Sequence, residues 1–440
     1  MSKLNQYQKN QIIEVTCSEL SYEGLGTSRD ENGYAIFTSD LFPGEKAKVQ
    51  LLKINSKFAF AKVSELLVPS LMRNAEKQDC INSAPLINLN YQEQIKFKDQ
   101  YLSKLLAWNL GPEVLENYVT FTPSPVINSY RNKVRYPFII QESQLFVAEY
   151  DIKSNNLHLA NNFSQNSQAI NLTINYLLDV LNNYYLVNNK QKHLIFYEEI
   201  TLRANKQNEI SLAIKINSDY DLPAKLLAKI QQYQAIVDLN IIKNDKIINL
   251  YCTKPFTMAL NNMQFNCNIN SFFQINSEMA EIIFTKIHEI VTSIPNKVLL
   301  DAYCGVGVIG QLVGGNKQII GSDIVSSSIL DAKINAQHNL INGQYYIGDA
   351  GTVFKKQVKN LQDTILILDP PRSGITQEFI TWIKQNQIDN VVYMSCDPKT
   401  LVRDLKDLAS NYNISYVQGF DMFPNTAHIE TVVLLKIKNS

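Results

Sequence analysis

The sequence predicts an α/β protein whose C-terminal part is a doubly wound, Rossmann-like parallel sheet, preceded by a small β-barrel and an α+β segment. Three observations support this fold class. From about residue 270, strand-like runs alternate with helix-like runs. Residues 12–67 hold short β-rich runs separated by turn signals, and residues 119–260 mix strands with one long helical run. We therefore expect three domains, with boundaries at 1–67, 68–265 and 266–440.

The composition limits the classes of function. The 41 Lys and Arg residues balance the 41 Asp and Glu residues, so the formal net charge is zero. This excludes a molecule-wide positive field for nucleic acid, and any RNA binding must rely on local patches, stacking and shape. The 6 cysteines include no CxxC pair, which argues against a disulfide framework and a zinc site. The polar N-terminus and the short apolar runs predict a cytoplasmic protein without a membrane span.

The N-terminal runs are typical of a small barrel. The segments "IIEVTCSEL", "GYAIFTS", "GEKAKVQLLKI" and "FAFAKVSEL" predict a five-stranded barrel of the OB type, which often binds oligonucleotides. A small β domain with another purpose is the alternative. After a connector, a helix is predicted near 91–108, and it is a candidate to pack on the C-terminal domain.

The central and C-terminal elements follow from periodicity. Residues 119–260 contain the strands "KVRYPFII", "EITLRA", "EISLAIKI" and "KIINLYC" and the helix "AINLTINYLLDVLNNYY". Beyond them, five strands that alternate for the most part with helices predict the parallel sheet, and "HIETVVLLKI" supplies a last strand, expected to be antiparallel at the end of the sheet.

A glycine loop follows the first strand of the predicted parallel sheet. Gly305, Gly307 and Gly310 have the GxGxxG spacing, which lets a backbone approach a ligand closely at the N-terminus of a helix. Asp301 ends the preceding strand and Asp323 ends the next one. This arrangement suits S-adenosylmethionine, whose ribose hydroxyls a second-strand acid can bind, and a plain nucleotide-binding loop is the alternative.

Two further motifs end neighbouring strands at the same predicted edge. In "ILDPPRSG" two prolines make a rigid turn after Asp369, and a tight turn alone would not explain the acid or Arg372. In "MSCDP" Cys396 precedes a helix N-terminus, where the helix dipole stabilises a thiolate. Inert core filling is the usual role of an isolated cysteine, but the edge position favours a nucleophile that faces the cofactor.

An acid lies at the start of the last strand. Glu430 is either functional or a mobile surface glutamate, and we assign nothing special to the neighbouring His428.

Together these motifs resemble the RNA uracil-C5 methyltransferases, which are class I enzymes that use S-adenosylmethionine. The resemblance rests on "FFQIN", "LLDAYCGVGVIG", "DPPRSG", "SCDP" and "HIE" in the expected order. The segment "YEGLGTSRDENGYAIF" and its continuation resemble the RNA-binding TRAM barrel of members that modify 23S ribosomal RNA, and "YRNKVRYPF" resembles the RNA-facing part of the central domain. The similarity covers nearly the whole chain.

The resemblance implies roles for individual residues. Cys396 falls on the nucleophile and Glu430 on the base. The positions implied for the cofactor are Gln274, Tyr303, Gly305, Gly307, Val308, Asp323, Asp349 and Asp369. The positions implied for the RNA substrate are Arg131, Lys133, Arg135 and Arg372, and a solvated strand face is the alternative for the first three.

Three positions depart from the family pattern. Many relatives hold a 4Fe–4S cluster on four cysteines after the barrel, whereas this stretch has Cys80 alone, so we expect neither a cluster nor a metal. Asp323 is one methylene shorter than the usual glutamate, and Val308 stands where a polar residue is common.

The implied chemistry needs one thiol and one carboxylate. Addition of the thiolate to C6 of uracil makes C5 nucleophilic, and a base must then remove the C5 proton. The target base must leave its stack, so we expect an enzyme that acts on loop or single-stranded RNA. We also expect the enzyme to be a monomer. Ribosomal RNA is favoured by the barrel, and transfer RNA is the alternative because its methyltransferases also lack the cluster cysteines.

Two rival functions stay open. RNA cytosine-C5 methylation uses the same addition, but those enzymes place a second cysteine in the fourth-strand motif, which here reads "DPPR". A non-catalytic RNA-binding protein would not need Cys396, Glu430 and Asp369.

Overall fold

A computed structural model describes residues 7–76, 78, 83–150, 156–160, 163–358, 361 and 363–438. The chain divides into two compact units. The first comprises residues 1–124 and 419–430, and the second comprises residues 125–418 and 431–440. In the described part of the chain, none of the helices has the length and apolar character needed to cross a membrane.

The first unit begins with a six-stranded sheet. Its strands are β1 (Ile12–Thr16), β2 (Glu19–Leu20), β3 (Gly26–Arg29), β4 (Ala35–Ser39), β5 (Lys46–Ile54) and β6 (Phe58–Val68), in the order β1-β5-β6-β4-β3-β2. The predicted number of five strands was wrong because "IIEVTCSEL" forms two strands. The backbone N–H groups of Cys17 and Ser18 bond to Glu45 and Thr27, which moves the chain from one partner strand to another.

A long helix follows the sheet in the same unit. The helix α1 (Tyr91–Leu110) begins after Asn90, whose side chain accepts a hydrogen bond from the N–H of Gln92, and it ends at Gly111. Its buried positions recur every fourth residue, and this face includes two polar side chains, Gln94 and Lys98. The strand β7 (Tyr118–Thr122) comes next. Whether α1 packs on the C-terminal domain, and where the domain boundaries fall, stay predictions.

The second unit opens with the central α+β segment. Its elements are β8 (Lys133–Gln141), β9 (Gln144–Tyr150), β10 (Leu157–Leu159), α2 (Gln168–Val187), β11 (Tyr197–Ala204), β12 (Ile210–Ile216), α3 (Ala224–Ile230), β13 (Ile236–Lys243) and β14 (Lys246–Cys252). The sheet order is β10-β9-β8-β11-β12-β13-β14. The helix α2 buries Ile174, Leu177 and Leu181 in the same apolar core as Leu202 and Leu212 of the sheet. A hairpin of β15 (Thr257–Leu260) and β16 (Met263–Asn266) leads onward.

The remaining elements form the doubly wound part. They are α4 (Ser277–Thr292), β17 (Val298–Ala302), α5 (Val308–Val313), β18 (Gln318–Asp323), α6 (Ser326–His338), β19 (Gly343–Ile347), α7 (Ala350–Gln357), β20 (Thr364–Leu368), α8 (Gln377–Asn386), β21 (Asn390–Ser395), α9 (Pro398–Leu408), β22 (Tyr412–Phe420) and β23 (Glu430–Ile437). The sheet runs β19-β18-β17-β20-β21-β23-β22, and its first five strands are parallel.

The last strand of the chain is antiparallel, as predicted, but it does not end the sheet. The strand β23 pairs with β21, and β22 lies on its other side. The sequence pattern did not reveal this order. After β21 the chain forms β22 away from it and then returns, so that β23 lies between β21 and β22. The strand β17 lies between β18 and β20, so the strand order reverses at this point of the sheet. Several strand ends meet at the crevice formed there, where ligands bind in open α/β sheets.

Candidate active site

The glycine loop between β17 and α5 has the conformation that glycine favours. Tyr303, Gly305 and Gly307 all have positive φ angles, of 63°, 53° and 81°. A Cβ atom added to Gly307 would lie 2.6 Å from Nε2 of Gln311, so a side chain here would require Gln311 to move and would strain a backbone that already has a φ angle of 81°. A Cβ atom added to Gly305 would meet no described atom within 4 Å. The loop therefore leaves open space next to Gly305, beside the N-terminus of α5.

Asp323 at the end of β18 is fixed against this loop. Its Oδ2 accepts a hydrogen bond of 3.0 Å from the N–H of Gly305, and its Oδ1 accepts one of 2.8 Å from the N–H of Val325. The side chain stays half-buried, and each oxygen has a further lone pair. A carboxylate held in this way can accept hydrogen bonds from a pair of vicinal hydroxyls.

Asp301 lies behind the loop and has a structural position. Its carboxyl is fully buried, and Oδ2 accepts a hydrogen bond of 3.0 Å from the N–H of Gly310. Burial raises the pKa of Asp301 to about 7, and the charges of Asp369 and Asp323 add to the increase. Asp301 thus ties the start of α5 to the end of β17.

Two further predicted acids end the next strands. Asp349 is exposed and caps α7 by accepting a hydrogen bond of 3.2 Å from the N–H of Thr352. Asp369 follows β20 and keeps part of its surface accessible, although the surrounding protein desolvates its carboxyl group and raises its pKa to about 7.

The other predicted cofactor positions are more buried. Tyr303 is half-buried, and burial raises its pKa to about 12. Gln274 is buried, and its backbone carbonyl accepts a hydrogen bond of 2.9 Å from Nδ2 of Asn132. Val308 opens α5 and is also buried, so its apolar side chain can only pack.

Cys396 directly follows the buried strand β21. The residue is half-buried, unlike the buried Cys17, Cys267 and Cys304. The next residue, Asp397, caps α9 by accepting a hydrogen bond of 2.9 Å from the N–H of Thr400. The cysteine therefore lies just before a capped helix N-terminus, whose dipole favours negative charge.

The first strand position of β23 is Glu430, which is 2% exposed. The alternative of a mobile surface glutamate was therefore wrong. The strand register pairs Thr431, the next residue, with Ser395, the residue before Cys396. His428 is exposed, and its ring meets that of Phe423 edge to face.

The "DPPRSG" turn is fastened to α9. The hydroxyl of Thr400 donates to the carbonyl of Arg372 at 3.0 Å, and the guanidinium of Arg403 donates to the carbonyl of Ser373 at 2.8 Å. Arg403 also donates to Asp404, whose carboxylate is fully buried. The side chain of Arg372 is left exposed at the end of the turn.

The predicted substrate cations differ in their environments. Arg135 is 69% exposed and forms an ion pair of 2.6 Å with Glu199. Lys133 is half-buried and lies directly opposite Arg203 in the sheet. Burial and the charges of Arg203 and Arg135 lower the pKa of Lys133 to about 8. Arg131 is half-buried and forms backbone bridges with Asn166 and Asn276.

Comparison with known proteins identifies the family. The model of the tRNA (uracil-5-)-methyltransferase family matches residues 90–438, and the TRAM domain model matches residues 6–64. The chain belongs to the tRNA (uracil-5-)-methyltransferase family. It is an enzyme of the class of S-adenosylmethionine-dependent RNA methyltransferases, and S-adenosylmethionine is its cofactor. The predicted family, fold class and cofactor are confirmed.

Bacterial relatives match the methyltransferase over its whole length. Uncharacterized RNA methyltransferases of Enterococcus faecalis and Lactobacillus johnsonii are each 28% identical to it. The first alignment covers 97% of this chain and 98% of the relative, and the second covers 98% and 99%. Among solved structures, the tRNA (uracil-54, C5)-methyltransferase of Pyrococcus abyssi in complex with S-adenosyl-L-homocysteine has the same fold. Its TM-score is 0.74 at 22% identity, with 96% of this chain and 99% of that chain covered.

The strand ends of the methyltransferase fit its cofactor. The open space at Gly305 is bordered by the fixed carboxylate of Asp323, which suits ribose hydroxyls. The acids at this edge also suit a ligand with a positively charged sulfur. Among the described residues, no group of His, Cys, Asp and Glu could hold a metal ion. Cys80 lies outside the described residues, so the expected absence of a cluster stays a prediction.

Sequence reasoning missed one acid of the site. Asp404 occupies the apolar face of α9 together with Leu401, Leu405 and Leu408 and is fully buried. An acid on the apolar face of an amphipathic helix was the signal that could have revealed it.

Proposed function

We propose that the methyltransferase modifies C5 of a specific uridine in RNA, with Cys396 as nucleophile and Glu430 as base. The observation that carries this proposal is the position of Cys396, half-buried at the carboxyl end of a buried strand and before the capped N-terminus of α9. This environment favours the thiolate, which is the reactive form of cysteine.

The reaction follows from the two groups. The thiolate of Cys396 adds to C6 of the uracil, and the displaced electron pair makes C5 nucleophilic. When bound, S-adenosylmethionine supplies an electrophilic methyl group to C5. Glu430 then takes the C5 proton, and the electrons of the C5–H bond form the C5–C6 double bond while the thiolate leaves.

The remaining site residues support binding in this proposal. Gln274, Tyr303, Asp323, Asp349 and Asp369 hold the cofactor or the uracil, and the loop glycines leave room for them. Arg131, Lys133, Arg135 and Arg372 provide cations for the RNA backbone. A local cation group is needed because the protein has no net charge.

Trapping with 5-fluorouridine tests the nucleophile. Fluorine at C5 cannot leave as a proton does, so RNA that contains 5-fluorouridine is expected to stay covalently bound after methyl transfer. The adduct should form with the natural protein and be absent in Cys396→Ala. The matched control is Cys252→Ala, which changes an exposed cysteine of β14. An adduct of undiminished yield in Cys396→Ala would refute the proposed mechanism.

We favour 23S ribosomal RNA as the substrate because the chain carries a TRAM barrel. Transfer RNA is the second candidate, because the Pyrococcus abyssi protein with a similar fold over 96% of this chain is named for uracil-54 of tRNA. Mapping of 5-methyluridine in ribosomal and transfer RNA, with and without the gene, decides between them. Loss of a single ribosomal position supports the first candidate, and loss of a tRNA position replaces it by the second.

A further inference from the structure

Helix α1 carries a lysine that is completely buried. The buried face of the helix consists of Gln94, Lys98, Leu102 and Leu106, and Lys98 has no exposed surface. A buried lysine is rare in proteins unless it is paired. The residue that pairs with Lys98 therefore identifies the segment of the chain that this helix face holds in place.

The partner is Asp421, at the start of the segment 421–429 that joins β22 to β23. Nζ of Lys98 lies 2.5 Å from Oδ1 of Asp421, and neither side chain is exposed. The same ammonium donates to the carbonyl of Phe423 at 3.1 Å, and the hydroxyl of Tyr91 donates to Oδ2 of Asp421 at 2.9 Å. All these residues belong to the first unit.

A second contact holds the segment four residues further on. The amide of Gln94 donates to Oδ1 of Asn425 at 3.0 Å and accepts a hydrogen bond of 2.9 Å from the N–H of the same residue. The carbonyl of Asn425 accepts another from the N–H of Leu86. Asn425 has a φ angle of 64°, a left-handed conformation that asparagine tolerates and that turns the chain.

This segment ends at Glu430. We propose that Lys98, together with Gln94 and Tyr91, positions Glu430 for removal of the C5 proton by holding the segment 421–429 on α1. The inference rests on the proposed function, in which Glu430 is the base. Only four residues lie between Asn425 and Glu430, so a fixed turn at Asn425 limits where the carboxyl can lie.

Stability alone does not account for a buried ion pair. Taking both charges out of water offsets most of their attraction, and an apolar pair of similar volume is often as stable. The ion pair adds a defined geometry, because an ammonium that bonds to specific acceptors fixes the orientation of the segment that carries these acceptors. An apolar pair would hold the segment with less defined geometry.

The test separates positioning from folding. In the double variant Lys98→Met with Asp421→Leu, no charge is left buried, so the first unit is expected to fold while the segment loses its orientation. A misplaced base slows proton removal after methyl transfer, and a displacement of about 1 Å costs on the order of 100-fold in kcat. The covalent RNA–protein adduct should therefore accumulate with ordinary uridine RNA, as it should in Glu430→Gln.

Two further variants and one kinetic measurement complete the experiment. Lys96→Met, on the exposed side of α1, should keep the natural kcat and show no adduct. Tyr91→Phe retains the ion pair and loses the hydrogen bonds of the Tyr91 hydroxyl with Asp421 and with the backbone of Ser124. It provides a milder variant if the double variant does not fold, and it should accumulate adduct to a smaller extent. In the double variant and in Tyr91→Phe, kcat/KM for RNA is expected to stay within about 3-fold of the natural value, because it reports the steps up to methyl transfer, whereas KM should fall together with kcat as the adduct accumulates.

The outcomes are distinguishable. Slow turnover without adduct, or natural turnover, in folded variants overturns the positioning role while the function stands. If the natural protein neither methylates uridine nor is trapped by 5-fluorouridine RNA, the proposed function itself fails.

Discussion

The hydroxyl of Tyr393 in β21 donates a hydrogen bond of 2.7 Å to the buried carboxylate of Asp404 in α9. The same oxygen of Asp404 accepts one of 3.1 Å from the N–H of Ile375, just after the "DPPRSG" turn. One carboxylate thus connects the strand before Cys396, the helix after it and the neighbouring turn. The two strand-end motifs are held together by a residue that belongs to neither.

Tyr393→Phe is expected to weaken this connection. Hydrogen bonds to charged groups contribute about 1.5–3 kcal/mol, so the free energy of unfolding should fall by that amount in urea denaturation. Methylation should also slow, because the end of β21 is held less firmly. The matched control is Tyr412→Phe, whose buried hydroxyl bonds to the neutral carbonyl of Ile388 and should contribute about 1 kcal/mol. Equal losses in the two variants would contradict the role of Asp404.

The buried carboxyl of Asp301 should make stability depend on pH. Its folded-state pKa of about 7 lies above the ordinary value of 3.8, so the folded state binds the extra proton between those values. Stability contributed by this group is present at low pH and is lost as pH rises towards 7, with a slope of up to about 1.4 kcal/mol per pH unit.

Asp301→Asn should remove this slope. Denaturation between pH 4 and 8 measures it, with Asp245→Asn as a control at an exposed turn. A slope that persists unchanged in Asp301→Asn would assign it to another group, of which Asp369 is the first candidate because its pKa is also about 7.

The two loop glycines should respond differently to alanine. At Gly307 the added Cβ meets Nε2 of Gln311 at 2.6 Å and the φ angle is 81°, so Gly307→Ala is expected to destabilise the fold by about 1–3 kcal/mol. At Gly305 the φ angle of 53° also strains an alanine, but the Cβ enters open space, so Gly305→Ala should destabilise the fold less and should in addition lower cofactor affinity, measured by calorimetry with S-adenosylhomocysteine. Natural affinity in Gly305→Ala would mean that the cofactor does not occupy that space.

Lys133 should make RNA binding sensitive to pH. Its pKa of about 8 means that the charge is present below pH 8 and is lost as pH rises through that value. If it contacts a phosphate, RNA affinity should fall between pH 7 and 9, and the salt dependence should lose a slope of about 0.7–0.9. Lys133→Arg keeps the charge and should hold the affinity at pH 9. A natural protein whose RNA affinity is constant over this range would exclude the contact.

Local patterns predicted most of the doubly wound part. Its strands and helices have clear periods, and glycine or proline marks the strand ends where Gly305, Asp369 and Cys396 lie. Contacts between distant parts of the chain were not predictable. The position of β23 inside the sheet depends on which strand it pairs with, which its own residues do not specify. The burial of Lys98 depends on its pairing with Asp421, 323 positions later in the chain. One local sign of this burial was present in the sequence, because Lys98 has the helical spacing of Leu102 and Leu106.

The pairing of Lys98 with Asp421 also has a meaning for synthesis of the chain. The helix is synthesised well before its acidic partner, which follows 323 positions later. Until then the first unit contains a lysine without its counter-charge at a position that water should not reach, which is costly. The buried face of the helix can therefore be completed only when the segment that carries the candidate base has been synthesised.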